Sequence, residues 1–188
     1  ELGNNGIHYL DILRWGVKGD YPLRTTYNGG RYFFKDAQET PDTGNAVYDF
    51  GHAGIEWVQS SCHPRAAEKS LGECLFYGDN GMMGVSRDSW TIYDPKGVEI
   101  SKGKASTSGT GDVSHMGNFI EAIRGDAKLN SPIEEGQKST MLCHLGNIAY
   151  RTNTVVRCDP KTGKVIDNPA AEKLWGRPEY RSGWKVSI

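Results

Sequence analysis

Apolar residues fall on nearly every side of the segment from Asn5 to Val17, where Ile7, Leu10, Ile12, Leu13, Trp15 and Val17 leave no continuous polar stripe. That pattern predicts a buried helix, with Asn5 as its cap and Gly16 or Gly19 as its stop. From Tyr21 to about Ile100 the spacing changes to short runs of β-branched and aromatic residues broken by Gly, Asn and Asp. Strands are expected at Leu23–Asn28, Gly44–Phe50, Gly54–Ser60, Gly72–Tyr77, Gly81–Ser86, Ser89–Tyr93 and Val98–Ser101. Alternation sets Ala46, Tyr48 and Phe50 against Val47 and Asp49, and Ile55 and Trp57 against Glu56 and Val58. Both faces carry apolar groups, so helices should cover one and a second subunit or domain the other.

Turn chemistry supports this order. Gly78-Asp79-Asn80-Gly81 and Asp94-Pro95-Lys96-Gly97 supply the fixed and positive φ angles that hairpins need. After a polar loop over Lys102–Gly111, Met116, Phe119, Ile120 and Ile123 recur at helical spacing from about Val113 to Arg124, and Gly125-Asp126 stops the run. Ser131-Pro132-Ile133-Glu134 has a capping residue, Pro in the first turn and a Glu able to reach back to the cap amide. A helix should run from there to about Thr152, carrying Thr140, His144, Asn147 and Arg151 in one polar row. Val155–Arg157 suggests a further strand, and Asn168-Pro169 starts a short helix that runs through Trp175. The tail containing Trp184 is expected to dock on the surface.

These elements predict an α+β fold: an open, largely antiparallel or mixed sheet with helices on one face and the other face available for oligomerisation. Its 188 residues suit one domain. With 22 Lys and Arg against 23 Asp and Glu there is no basic excess for a nucleic-acid or polybasic membrane binder. No apolar run approaches the ~18 residues of a membrane span. Cys62, Cys74, Cys143 and Cys158 form no CxxC, so separate reduced thiols are expected rather than zinc or a disulfide scaffold, and no metal site is expected. The opening Glu1-Leu2-Gly3 has neither an initiator Met nor a secretory signal, and reads as the start of a fragment.

Candidate chemistry centres on His8, which stands near Gly3 and Gly6 with Asp11 three residues on. A buried imidazole can serve as general base towards an alcohol; the alternative is a core histidine bonded to Asp11 or to a carbonyl. His144 and Asn147, one turn apart, suit sugar hydroxyls or a solvated face, and His115 with Asn118 is a weaker pair of the same kind. His52 and the Cys62-His63 pair lack ligand-like partners and read as structural. Asp36, Glu39 and Asp42 read as solubilising acids in a loop rather than as a glycosidase pair. No GxGxxG, P-loop, HExxH or GxSxG is present, so nothing here would bind a dinucleotide alone.

Two segments, GNNGIHYLDILRWG (Gly3–Gly16) and HMGNFIEAIRG…IEEGQKSTMLCHLGNIAYR (His115–Arg151), resemble the C-terminal domain of the Gfo/Idh/MocA oxidoreductases, the family of glucose-fructose oxidoreductase and inositol dehydrogenase. The resemblance extends over GGRYFFKDAQETPDT and DPKTGKVIDNPAAEKLWGRPEYRSGW. It implies that residues 1–188 are one C-terminal substrate-binding and oligomerisation domain, with an N-terminal Rossmann domain that binds NAD or NADP absent from this chain. His8 matches the family's proton-accepting His, and Asn4 stands where an Asp is common. A neutral amide can orient an imidazole or bind a hydroxyl, but it cannot stabilise an imidazolium as a carboxylate does.

The resemblance implies an NAD(P)-dependent oxidoreductase acting on a sugar, cyclitol or glycoside. His8 would be catalytic, Asn4, His144 and Asn147 would bind substrate, and the protein would be a dimer or tetramer assembled through the sheet. The isolated domain is expected to be inactive. Two alternatives stand beside this reading: an NAD-dependent redox glycosidase or lyase of the same family, and a non-catalytic carbohydrate-binding or assembly module. Localisation is open between cytoplasm and periplasm.

Overall fold

A computed structural model describes residues 1–64, 71–104 and 111–184. The chain divides into two compact units, one formed by Glu1–Pro64 with Lys138–Ile188 and the other by Arg65–Gln137. The α+β class and the open antiparallel strands are as expected, although the strands form two sheets rather than one.

In the first unit a π-helical turn, Leu2–Gly6, leads into α1 (Ile7–Val17). A five-stranded antiparallel sheet has the order β3-β2-β1-β8-β9, with β1 Arg24–Gly30, β2 Thr43–Asp49, β3 Gly54–Ser60, β8 Val156–Cys158 and β9 Val165–Ile166. The long helix α3 (Ile133–Thr152) enters this unit at Lys138, and α4 (Pro169–Trp175) closes it. As expected, Asn168 caps α4, its side-chain oxygen accepting from the Ala171 N–H at 3.1 Å.

Alternation along the strands decides what is buried. Thr25, Ala46, Tyr48, Ile55 and Val156 point inward, where Leu10 of α1 and Leu142 and Leu145 of α3 meet them. The Tyr48 hydroxyl donates to the Leu142 carbonyl at 2.9 Å, a buried bond worth about 1 kcal/mol that pins α3 to β2. Gly146 permits that approach: a Cβ there would lie 2.5 Å from Leu2 and 2.7 Å from the Tyr48 oxygen. On the outer face Val47 and Val58 are 39% and 44% exposed, and Asn45 donates to Glu56 across the strands at 2.9 Å.

Three expectations about α1 are corrected. The helix is not buried all round: the stripe Leu2, Gly6, Leu10 and Arg14 is buried and Ile7, Leu13 and Val17 pack partly against the core, while Ile12 is exposed and Trp15 is 78% exposed. Asn5 is not its cap. The N–H groups of Asn4, Asn5 and Gly6 all reach back to the Glu1 carbonyl, at 3.1, 2.9 and 3.1 Å, so helical winding begins earlier. At the other end Lys18, rather than a glycine, takes the left-handed conformation at φ 55°.

In the second unit β4 (Cys74–Gly78), β5 (Gly81–Ser86), β6 (Ser89–Tyr93) and β7 (Glu99–Lys104) form an antiparallel meander. Gly78 pairs with Gly81 across a two-residue turn. The Asp94 carboxylate accepts from the Lys96 and Val98 N–H groups, each at 2.8 Å, and Gly97 supplies φ 82°. Both turns behave as their residues require. Strand β7 extends through Lys102–Lys104, which the sequence assigns to a loop; the rest of that loop, 105–110, lies outside the described residues.

Helix α2 (Gly111–Arg124) follows, and Gly125 (φ 85°) ends it. Its apolar stripe of Met116, Phe119, Ile120 and Ile123 is formed as expected but exposed, and no residue of α2 is buried. The Asn118 side chain closes the following segment, donating to the Lys128 carbonyl at 2.8 Å and accepting from the Asn130 N–H at 2.9 Å. That is a structural role for Asn118. Trp184, expected to dock, is also exposed.

Candidate functional site

Helices α1 and α3 lie antiparallel in the first unit, and polar contacts fix their register. Arg14, buried despite its charge, donates from Nε to Ser139 Oγ at 2.8 Å and from Nη1 to the Gly19 carbonyl at 3.0 Å. Ser139 Oγ in turn donates to Asp11 Oδ1 at 2.5 Å. The ion pair between Lys138 and Asp20, at 2.7 Å, ties the same ends together. At the opposite end a Cβ built on Gly3 would lie 3.7 Å from Asn147 Nδ2, so the π-helical turn rests against that amide.

His8 of α1 and His144 of α3 fall within the stretch bracketed by these contacts, and both side chains are exposed. Asn4 is exposed on the turn that touches Asn147. The Gly3 backbone thus sets the turn that carries Asn4 beside Asn147, while His8 and His144 are each exposed on their own helix. Two sequence readings of His8 are corrected: it is not buried, and the carboxylate three residues on is engaged by Ser139. His52 is structural as expected, its ring nitrogens 2.9 Å from the Val17 carbonyl and 3.2 Å from that of Phe50.

The loop between β1 and β2 is organised by Asp42, which the sequence reads as a solubilising acid. It is buried, and its carboxylate accepts from the N–H groups of Tyr32, Phe33 and Phe34 and from the Thr43 hydroxyl, at 2.9–3.1 Å. Burial alone would raise its pKa; the three backbone donors and the hydroxyl outweigh it and hold the carboxyl well below the usual range. Arg31 adds bonds to the Thr40 carbonyl and to Asp36. The loop thus holds the Tyr32, Phe33 and Phe34 rings out into solvent.

Among the described residues this unit carries at least two concavities. One, of about 350 Å³, is lined by Tyr27, Asn28 and Gly29 at the end of β1 and by Tyr150, Arg151 and Asn153 at the end of α3. The Tyr27 hydroxyl is buried with no hydrogen-bond partner among the described residues, and burial raises its pKa well above that of a free phenol. The other, of about 510 Å³, runs over the outer face beside Arg24, Val47, Asp49 and Val155. None of His8, Asn4, His144 and Asn147 lines either. The first nevertheless continues the polar row of α3, since Arg151 follows Asn147 by one turn, about 6 Å along the axis. Sequence reasoning found Arg151 in that row but not its partners from β1, because no local pattern links β1 to α3.

Burial pushes the Cys74 and Cys143 thiols up to about 11 and Cys158 to about 12, while Cys62 is partly exposed. Among the described residues no three His, Cys, Asp or Glu side chains gather as a metal site. Nor do these residues fit a dinucleotide. Every described strand pairing is antiparallel, so there is no βαβ crossover whose helix N-terminus would hold a pyrophosphate.

No protein-family model and no curated protein sequence matches the chain. Its fold, however, is shared with solved oxidoreductase structures. A Klebsiella pneumoniae protein provisionally described as an oxidoreductase superposes with a TM-score of 0.61 at 12% identity, over 93% of this chain and 52% of its own. An oxidoreductase from Agrobacterium radiobacter, in complex with NAD+, L-tartaric acid and magnesium, gives 0.58 at 15% identity, over 84% and 48%. The WlbA dehydrogenase from Bordetella pertussis, in complex with NADH and UDP-GlcNAcA, gives 0.50 at 17%, over 83% and 44%. The chain spans about half the length of the solved structures it matches. At these identities the likeness is one of fold.

Proposed function

We propose that this chain is the substrate-binding and oligomerisation part of an NAD(P)-dependent oxidoreductase of the Gfo/Idh/MocA type, acting on a sugar, cyclitol or glycoside. The observation that carries the reading is the packing of α1 on α3, with its register fixed by Arg14, Ser139 and Asp11, which leaves Asn4, His8 and His144 exposed and sets the Gly3 turn beside Asn147. The shared fold supports it, since two of the similar structures hold NAD+ or NADH. The coenzyme, NAD or NADP, belongs to the remainder of a longer protein, because the residues present here do not fit it.

In this reading His8 accepts the proton of the substrate hydroxyl. An exposed imidazole can take that proton and pass it on to solvent. Asn4, His144 and Asn147 hold neighbouring hydroxyls, each amide offering both a donor and an acceptor. Asn4 contributes no negative charge, so nothing in this turn stabilises the imidazolium electrostatically. The exposed Val47 and Val58 support assembly of like chains through the outer sheet face.

The test is NAD(P)H formation by the full-length protein with a panel of sugars and cyclitols, followed by product analysis. Net reduced coenzyme supports the dehydrogenase. Release of an aglycone without net reduction supports the redox glycosidase or lyase instead. Neither turnover nor coenzyme binding would leave a carbohydrate-binding or assembly module.

A further inference from the structure

We infer that the cleft between the end of β1 and the last turn of α3 is a carboxylate-selecting subsite, in which Arg151 pairs with the acid group of a uronic acid or similar polyhydroxy acid. The inference rests on the reading that the α3 row faces a polyhydroxylated ligand, and it names the class of that ligand.

The size suits one sugar ring. At about 350 Å³ the cleft lies at the small end of ligand pockets. Its walls combine ring surface with hydrogen-bonding groups. Tyr27 and Tyr150 meet edge to face, with centroids 5.3 Å apart, and offer an apolar wall to the C–H groups of a sugar. Asn28 and Asn153 add donors and acceptors to the lining.

Arg151 supplies the charge. Among the described residues its guanidinium has one ion pair, with Glu39 at 3.6 Å, beyond hydrogen-bond length, and the two side chains are 54% and 81% exposed. Such a pair holds neither partner firmly, and the planar fork of donors remains open to a bidentate carboxylate. A monoanion fits better than a phosphate dianion. Arg151 is the one cation among the lining residues, and the helix end beside it is a C-terminus, whose dipole opposes concentrated negative charge.

Calorimetric titration of the 188-residue chain with D-glucuronate, its methyl ester and D-glucose 6-phosphate tests the inference, with amide shift mapping to locate binding. Glucuronate is expected to bind about tenfold tighter than the neutral ester, the yield of one charge-assisted bidentate contact. Shifts should centre on residues 27–29 and 150–153. Arg151→Gln should abolish the preference, and Arg151→Lys, which keeps the charge and satisfies the helix dipole equally well, should restore it only in part. Equal binding of acid and ester would overturn the inference, as would tighter binding of the phosphate, a preference that survives Arg151→Gln, shifts centred elsewhere, or no binding by any of the three. No coenzyme turnover enters this assay, so a failed dehydrogenase reading with intact glucuronate selectivity remains distinguishable from the reverse.

Discussion

Replacing Ser139 with Ala removes one oxygen from the contact that sets the register of α1 on α3. That oxygen accepts from buried Arg14 Nε and donates to Asp11. Hydrogen bonds to charged groups contribute roughly 1.5–3 kcal/mol, and most of that applies to Arg14, which keeps the Gly19 carbonyl but loses its Ser139 acceptor inside the protein. Asp11 is exposed and regains water, so its loss is a fraction of this. Alanine returns about 0.5 kcal/mol through helix propensity. The net expectation is a destabilisation of about 2 kcal/mol, or roughly 4–8 °C in melting temperature for a chain of this size. Urea unfolding followed by circular dichroism measures it. A cycle with Arg14→Met then separates the pair term from background, because the Gly19 carbonyl loses its Arg14 donor in both Arg14 variants and that loss cancels. The double variant should be more stable than the sum of the single losses predicts by about 1 kcal/mol or more. A Ser139→Ala variant within 0.5 kcal/mol of the parent, or strictly additive effects, would refute the argument that this contact carries the helix register.

Other predictions concern the loop and the thiols. Asp42 is held ionised by its four donors, so its contribution is present above the ordinary carboxylate pKa near 4 and is lost as pH falls below it towards the lower folded value. Asp42→Asn should therefore lower the melting temperature at pH 7 and flatten its decline below pH 4; parallel melting curves for the two proteins would contradict this. A thiol-specific colorimetric reagent should label one equivalent per native chain, at Cys62, and four after unfolding, because burial keeps Cys74, Cys143 and Cys158 protonated.

Much of the fold was legible where chemistry is local. The Asp94–Gly97 turn, the helix that follows Ser131-Pro132 and the Asn168 cap depend on neighbours a few residues away, and each forms at or within a residue of its expected place. What failed depends on distant partners. Ile12 and Trp15 are as apolar as Leu10, and only the position of the sheet decides which of them is covered. Asp42 looks like any loop acid until the chain turns the Tyr32, Phe33 and Phe34 amides onto it. Strand β9 is two residues long, too short for alternation to register. For the candidate site, helical spacing placed His144, Asn147 and Arg151 in one row, but the cleft that Arg151 shares with Tyr27 and Asn28 exists only after β1 packs beside α3.

The central claim is that His8 takes a proton from a substrate hydroxyl. Turnover of the full-length protein and its His8→Ala variant, with and without added imidazole, tests it most directly. The account predicts a loss of about 10²–10⁴-fold in kcat, partly restored by imidazole in proportion to its free-base concentration. Unchanged turnover in His8→Ala, or a loss that imidazole does not relieve while the variant remains folded, would contradict it.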